Sequence, residues 1–88
     1  MEVDYSEQAM EDIAFWKKSG NKSIQKRISL LITTIQQTPY NGIGKPESLK
    51  YDLSGKWSRR INAEHRVVYE VVDNRIRVHS LRGHYDKT

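Results

Sequence analysis

Hydrophobic positions follow a helical spacing in the first half of the chain and a strand spacing in the second. Val3 and Tyr5 alternate with Glu2 and Asp4, which predicts a short first strand. Ser6 has the chemistry of an N-cap, and acidic residues follow it, where carboxylates suit the positive end of a helix dipole. Ala9, Ile13 and Trp16 recur at helical spacing, Lys17 and Lys18 sit near the end where cations are favoured, and Gly20 stops the helix. A second helix begins near Asn21 with a cleaner stripe, Ile24, Ile28, Leu31 and Ile35, widened by Leu30 and Ile32 and ended by Pro39. Both stripes are read as core, because two helices in so short a chain must cover a sheet.

From residue 40 the pattern changes. Residues 40–46, YNGIGKP, form a loop by composition, and no Ser or Thr follows Lys45 as a phosphate-cradling loop of the Walker type requires. A strand is expected over 47–51 and a turn at LSGK. A hairpin is expected with strands at 57–61 and 64–72 around a tight turn at Asn62 and Ala63. Period two then places Val67, Tyr69 and Val71 on one face and Arg66, Val68, Glu70 and Val72 on the other. Asp73 and Asn74 suit a two-residue turn without the usual glycine, and 75–82 closes the sheet. The expected fold is α+β, with two N-terminal helices on one face of a small, mainly antiparallel sheet. The other face is open to solvent, and a ligand would lie there.

Length and composition narrow the classes. With 88 residues the chain is expected to be one domain, residues 1–88, with a small core and one site. No apolar run approaches the roughly 18 residues of a membrane span, and the first residues lack the basic and apolar parts of a signal peptide, so a cytoplasmic protein without a membrane is expected. Cysteine is absent, which removes disulfides, thiol nucleophiles and Cys-based zinc sites. His65, His79 and His84 have no recognised metal-ligand spacing, so neither metal nor cofactor is expected.

Charge adds a direction. Residues 1–44 balance, whereas residues 45–88 hold the whole formal excess of +4. The hairpin alone carries Arg59, Arg60, His65 and Arg66. Such asymmetry suits a polyanion or an acidic protein, although a solvated basic surface would look the same.

Metal-free RNA cleavage sets three tasks. The 2′-hydroxyl must lose a proton to attack phosphorus, the phosphorane charge must be stabilised, and the departing 5′-oxygen must gain a proton. A carboxylate, an arginine and a histidine can divide them, and Glu47, Arg66 and His84 lie on three different candidate strands. Taken singly, each is more often an unremarkable surface residue. His65 has the reading of a local hydrogen-bonding group after the turn, and His79 that of a packed or solvent-facing strand residue. Trp16 and Trp57 are read as core or interface anchors, and Glu64 and Glu70 as surface charge or partners for arginines.

The segment GIGKPESLKYDLSGKWSRRINAEHRVVYEV and the His84–Tyr85 pair resemble the YoeB toxins of the RelE superfamily. The shared signature is a GKPEPLK-like loop, then L-S-G-x-W-S-R-R-I, then E-H-R-hydrophobic-V-Y and a final His-Tyr. With the Trp-bearing first helix and the T-P-[YF]-x-G-x-G junction, the likeness covers nearly the whole chain. It implies a RelE-like, microbial-RNase-like fold and a toxin of a type II toxin–antitoxin system. It also implies an endoribonuclease that cuts mRNA in the A site of a translating ribosome, silenced by a YefM-like antitoxin. Homodimerisation is common in the family and expected here.

By the same resemblance Glu47 matches the general base, Arg66 the phosphate-stabilising arginine and His84 the general acid. Tyr85 matches the aromatic residue that helps hold the nucleotide, and Lys50, Arg59 and Arg60 match basic positions that engage RNA phosphates. Two departures stand out: Asp86, Lys87 and Thr88 follow the His-Tyr pair, and Gly83 replaces a bulkier residue, loosening the backbone before His84. The alternative is a non-catalytic relative that acts by binding a protein such as gyrase, against which the three retained candidate residues weigh.

Overall fold

A computed structural model describes residues 1–83 of the chain. Its elements are β1 (Glu2–Tyr5), α1 (Glu7–Ser19), α2 (Lys22–Gln37), β2 (Glu47–Ser48), a 3-10 turn (Tyr51–Leu53), β3 (Trp57–Arg60), β4 (Arg66–Val72) and β5 (Arg75–Ser80). The two helices start as their sequences dictate. Ser6 Oγ accepts from Ala9 N at 3.0 Å and Asn21 Oδ1 from Ile24 N at 3.1 Å, each satisfying one of the orphan donors of a first turn.

The strands form one five-stranded sheet in the order β1-β5-β4-β3-β2. Only β1 runs parallel to its neighbour, because α1 and α2 carry the chain across the sheet after β1, while hairpins join β3, β4 and β5. The inner face and the helix stripes close the core, with Ala9, Leu31, Ile35, Val67, Tyr69, Ile76, Val78 and Leu81 fully buried. Val71 packs against this cluster with Ile13, Ile24, Ile28 and Trp57. The inner set Val67, Tyr69 and Val71 is therefore as expected, as is the α+β layering.

Boundaries differ in three places, each for a local reason. The strand expected over 47–51 stops after two residues, since Lys50 leads into the 3-10 turn and Tyr51 adopts a φ of 58°. The hairpin between β3 and β4 turns through five residues, not two. Asn62 Oδ1 accepts from both Glu64 N and His65 N at 2.8 Å, while Ile61 N donates to His65 O at 2.9 Å. The last strand ends at Ser80, after a register shift opposite Val68 and Tyr69. By contrast, Asp73 and Asn74 do make a two-residue turn, both with the positive φ that a tight hairpin demands.

Among the described residues, no helix is long and apolar enough to cross a membrane.

Candidate active site on the open sheet face

Glu47, Ser58 and Val68 are successive cross-strand partners on β2, β3 and β4, and Arg66 lies two residues from Val68 on the same face. Alternation thus delivers Glu47 and Arg66 to the side of the sheet away from the helices. Arg66 Nη1 stands 3.6 Å from Glu47 Oε1. The Glu47 side chain is 53% exposed and that of Arg66 17%, so the carboxylate is open to solvent while the guanidinium stem is sheltered by the sheet. A contact of this length and exposure is a weak ion pair that a phosphate can displace at small cost. Two of the three residues expected to share the chemistry are therefore brought together from positions nineteen apart in sequence. His84 and Tyr85 lie outside the described residues.

The backbone that leads to His84 is well anchored. Leu81 N donates to Asp12 Oδ2 and Leu81 O accepts from Trp16 Nε1, both at 2.9 Å and both buried. Gly83 N donates to His65 Nδ1 at 2.9 Å, and Gly83 O accepts from Arg66 N at 3.2 Å. The His65 backbone thus bonds locally in the turn, as its place suggests, while its side chain bonds across eighteen residues. Gly83 is likewise not loose. Its φ of 97° belongs to a region that L side chains rarely adopt, and both of its backbone polar groups are held.

The basic positions separate. Lys50 and Arg60 are exposed and remain open to a polyanion. Arg59 is not: its exposure is 0%, and its guanidinium is turned into the core. There Nε donates to Tyr69 Oη at 3.1 Å, Nη1 to Ile43 O at 3.2 Å, and Nη2 to Asn41 O at 2.9 Å as well as to Thr38 O. Its expected contact with RNA phosphate is corrected to a structural role, because consecutive strand residues point to opposite faces and Arg60 holds the outer position. Tyr69 Oη extends the same network to Pro39 O at 2.6 Å. Burial pushes the Tyr69 hydroxyl above its ordinary value, and the bond from Arg59 partly opposes this.

This network seats the loop before Glu47. A Cβ at Gly44 would stand 2.9 Å from Leu31 Cδ2 and 3.1 Å from Arg59 Cβ, so only glycine lets the loop lie on α2 and β3. Gly44 O also accepts from Arg60 N at 2.7 Å. Glu47 follows three residues later.

Elsewhere on the open face Glu70 Oε2 meets His79 Nε2 at 2.5 Å, so Glu70 partners a histidine and not an arginine. At the β1 edge Asp4 Oδ1 accepts from Arg75 Nη2 at 2.6 Å and Glu2 Oε1 from Arg75 Nη1 at 2.7 Å. The Arg75 guanidinium holds the Asp4 carboxyl below its ordinary value. A groove of about 390 Å³ lined by Ile13, Trp16, Ile28 and Ile32 lies on the helical layer, and neither Glu47 nor Arg66 lines it.

Sequence reasoning missed Ser58. It is fully buried between Glu47 and Val68 on the outer face, and its Oγ has no hydrogen-bond partner among the described residues. The signal was available in the period-two pattern of W-S-R-R, which puts Ser58 and Arg60 on the side of Arg66.

Comparison with known proteins agrees with this architecture. Residues 5–85 match the family model for the YoeB-like toxin of bacterial type II toxin–antitoxin systems. The chain is 46% identical to the YoeB toxin of Synechocystis sp. over 99% of its own length and 100% of the relative. Among solved structures it resembles a YoeB/ParE toxin from Agrobacterium tumefaciens, with a TM-score of 0.92 and 40% identity over 97% of this chain and 100% of that one. It also resembles Staphylococcus aureus YoeB in a YoeB–YefM complex, at TM-score 0.86 and 44% identity, and in a YoeB dimer, at 0.87 and 43%, each over 97% of this chain and 98% of the other. Two helices against an open, mostly antiparallel sheet define a RelE-type toxin fold. Within that class, the chain belongs to the YoeB family of toxins of type II toxin–antitoxin systems.

Proposed function

We propose that this toxin is an endoribonuclease that cleaves mRNA in the ribosomal A site, without a metal ion, and so stops translation. The observation that carries the reading is the pairing of Arg66 with Glu47 at 3.6 Å on the open face of the sheet. Glu47 takes the proton of the 2′-hydroxyl as the oxygen forms its bond to phosphorus. Arg66 exchanges its contact with Glu47 for the non-bridging phosphate oxygens, which its planar fork can hold in pairs while remaining charged. His84 gives a proton to the 5′-oxygen as the phosphorus–oxygen bond breaks, leaving a 2′,3′-cyclic phosphate and a 5′-hydroxyl. Tyr85 stacks on a base, a contact worth about 1–3 kcal/mol in single-stranded nucleic acid. Lys50 and Arg60 hold neighbouring phosphates.

DNA lacks the attacking hydroxyl, so it is bound without being cut. The partners of this reading are mRNA, the ribosome, a YefM-like antitoxin and a second copy of the chain. The last two are supported by the YoeB–YefM complex and the YoeB dimer of Staphylococcus aureus. The site of action is the cytoplasm.

Mapping message ends in cells expressing the toxin tests the reading. Cuts clustered at A-site codons are expected, whereas intact message accompanied by DNA damage would instead support a gyrase-directed toxin.

A further inference from the structure

Gly83, the residue immediately before His84, is held at both of its backbone polar atoms by consecutive residues of the hairpin. Its N–H donates to His65 Nδ1 at 2.9 Å, and its carbonyl accepts from Arg66 N at 3.2 Å. His65 is itself fixed on two sides. Its N–H donates to Asn62 Oδ1 at 2.8 Å, and its ring stands edge-on to the Trp16 indole, with centroids 4.9 Å apart at 84°. Trp16 in turn donates to Leu81 O, and Asp12, which accepts from Gln8 Nε2 at 2.9 Å, receives Leu81 N. The segment 81–83 is thereby tied to α1 and to the strand that bears Arg66.

Stability alone does not require this arrangement. Gly83 is exposed, so water could satisfy its N–H without a histidine. What the bond does is fix the backbone from which the next side chain departs, relative to Arg66.

We infer that His65 is a positioning residue for cleavage: its Nδ1 lone pair holds Gly83 against the strand that bears Arg66, and so fixes the backbone that leads into the general acid. The inference rests on the reading of His84 as the general acid. Since Nδ1 accepts, the ring proton is on Nε2, and the required chemistry is a fixed acceptor at the Nδ1 position. Asparagine places its amide oxygen near that point. Phenylalanine retains the ring edge against Trp16 and offers no acceptor. Glutamine puts its oxygen nearer the place of Nε2.

The test measures single-turnover cleavage by the full chain on ribosomes programmed with a short message, with melting temperature as the control for folding. His65→Phe is expected to lower the maximal rate by about tenfold or more with the half-saturating concentration nearly unchanged, as a small misplacement of a reacting group does. His65→Asn is expected to restore most of that rate. In a His84→Ala background, His65→Phe is expected to have no further effect, because the group it positions is gone. If His65→Phe does not fold, His65→Gln against His65→Asn makes the same comparison. A folded His65→Phe protein with full activity overturns the inference, and so does an equal loss with and without His84. Full activity of His84→Ala would instead remove the reading of His84 as the acid, a separate failure.

Discussion

Arg59 and Arg60 are adjacent, identical in chemistry and opposite in use. Arg59 spends its donors on Tyr69 Oη and three carbonyls of the loop over 38–43, while Arg60 faces solvent. Replacing Arg59 by Met fills similar volume but leaves those acceptors unsatisfied, so Arg59→Met is expected to cost about 3–5 kcal/mol in urea unfolding. Arg60→Ala is expected to change stability by less than about 0.5 kcal/mol. Tyr69 adds a pH signature to the same network. Its folded-state value lies above the ordinary 10.0, so the stabilisation is full below pH 10 and is lost as pH rises through the higher folded value. Tyr69→Phe is therefore expected to flatten the alkaline fall of melting temperature, leaving the part due to Tyr5, whose value burial also raises. Composition showed only a concentration of arginines in the hairpin. Which of them was buried depended on strand phase, and the period-two reading of 66–72 would have separated Arg59 from Arg60 if carried back to β3.

Among the elements, the helices and the hairpin core were legible because their patterns have one solution. Stripes at helical spacing bounded by Ser6 and Gly20, and by Asn21 and Pro39, leave little choice of ends. Short elements were less legible, because β2 owes its two residues to its pairing with β3 and its end to the Lys50–Leu53 turn, neither of which has a periodic signal. The five-residue loop before β4 was concealed in the same way, since it depends on one side-chain oxygen, Asn62 Oδ1, accepting twice. At the opposite edge β1 is fastened to β5 by Arg75 between Glu2 and Asp4. The Asp4 carboxyl titrates below its ordinary 3.8 in the folded protein. Its stabilisation is thus present above pH 3.8 and is lost as pH falls through the lower folded value. Wild type and Asp4→Asn are accordingly expected to differ in melting temperature at neutral pH and to converge in acid. A difference that persists below the Asp4 transition would assign the stabilisation to something other than that ion pair.

Across the whole molecule, the two faces of one sheet divide the labour. The helices cover the inner face and supply, through Asp12 and Trp16, anchors for the segment that runs up to His84. The outer face presents Glu47 and Arg66, with exposed Lys50 and Arg60 nearby in the chain. The carboxylate–arginine half of the candidate site could be placed from sequence because resemblance and strand phase agreed, whereas its supporting contacts could not. The Gly83 bond to His65 and the seat of Gly44 on Leu31 and Arg59 join segments far apart in the chain through single atoms. In the proposed reaction Glu47, Arg66 and His84 together cleave message on the ribosome. In vitro translation followed by primer extension tests it most directly, comparing the wild-type chain with Glu47→Ala, Arg66→Ala, His84→Ala and the triple variant, each shown to be folded. Discrete cuts at A-site codons with wild type, reduced by about a hundredfold or more in each single variant, are predicted; a folded triple variant that cuts message at the wild-type rate would contradict the account.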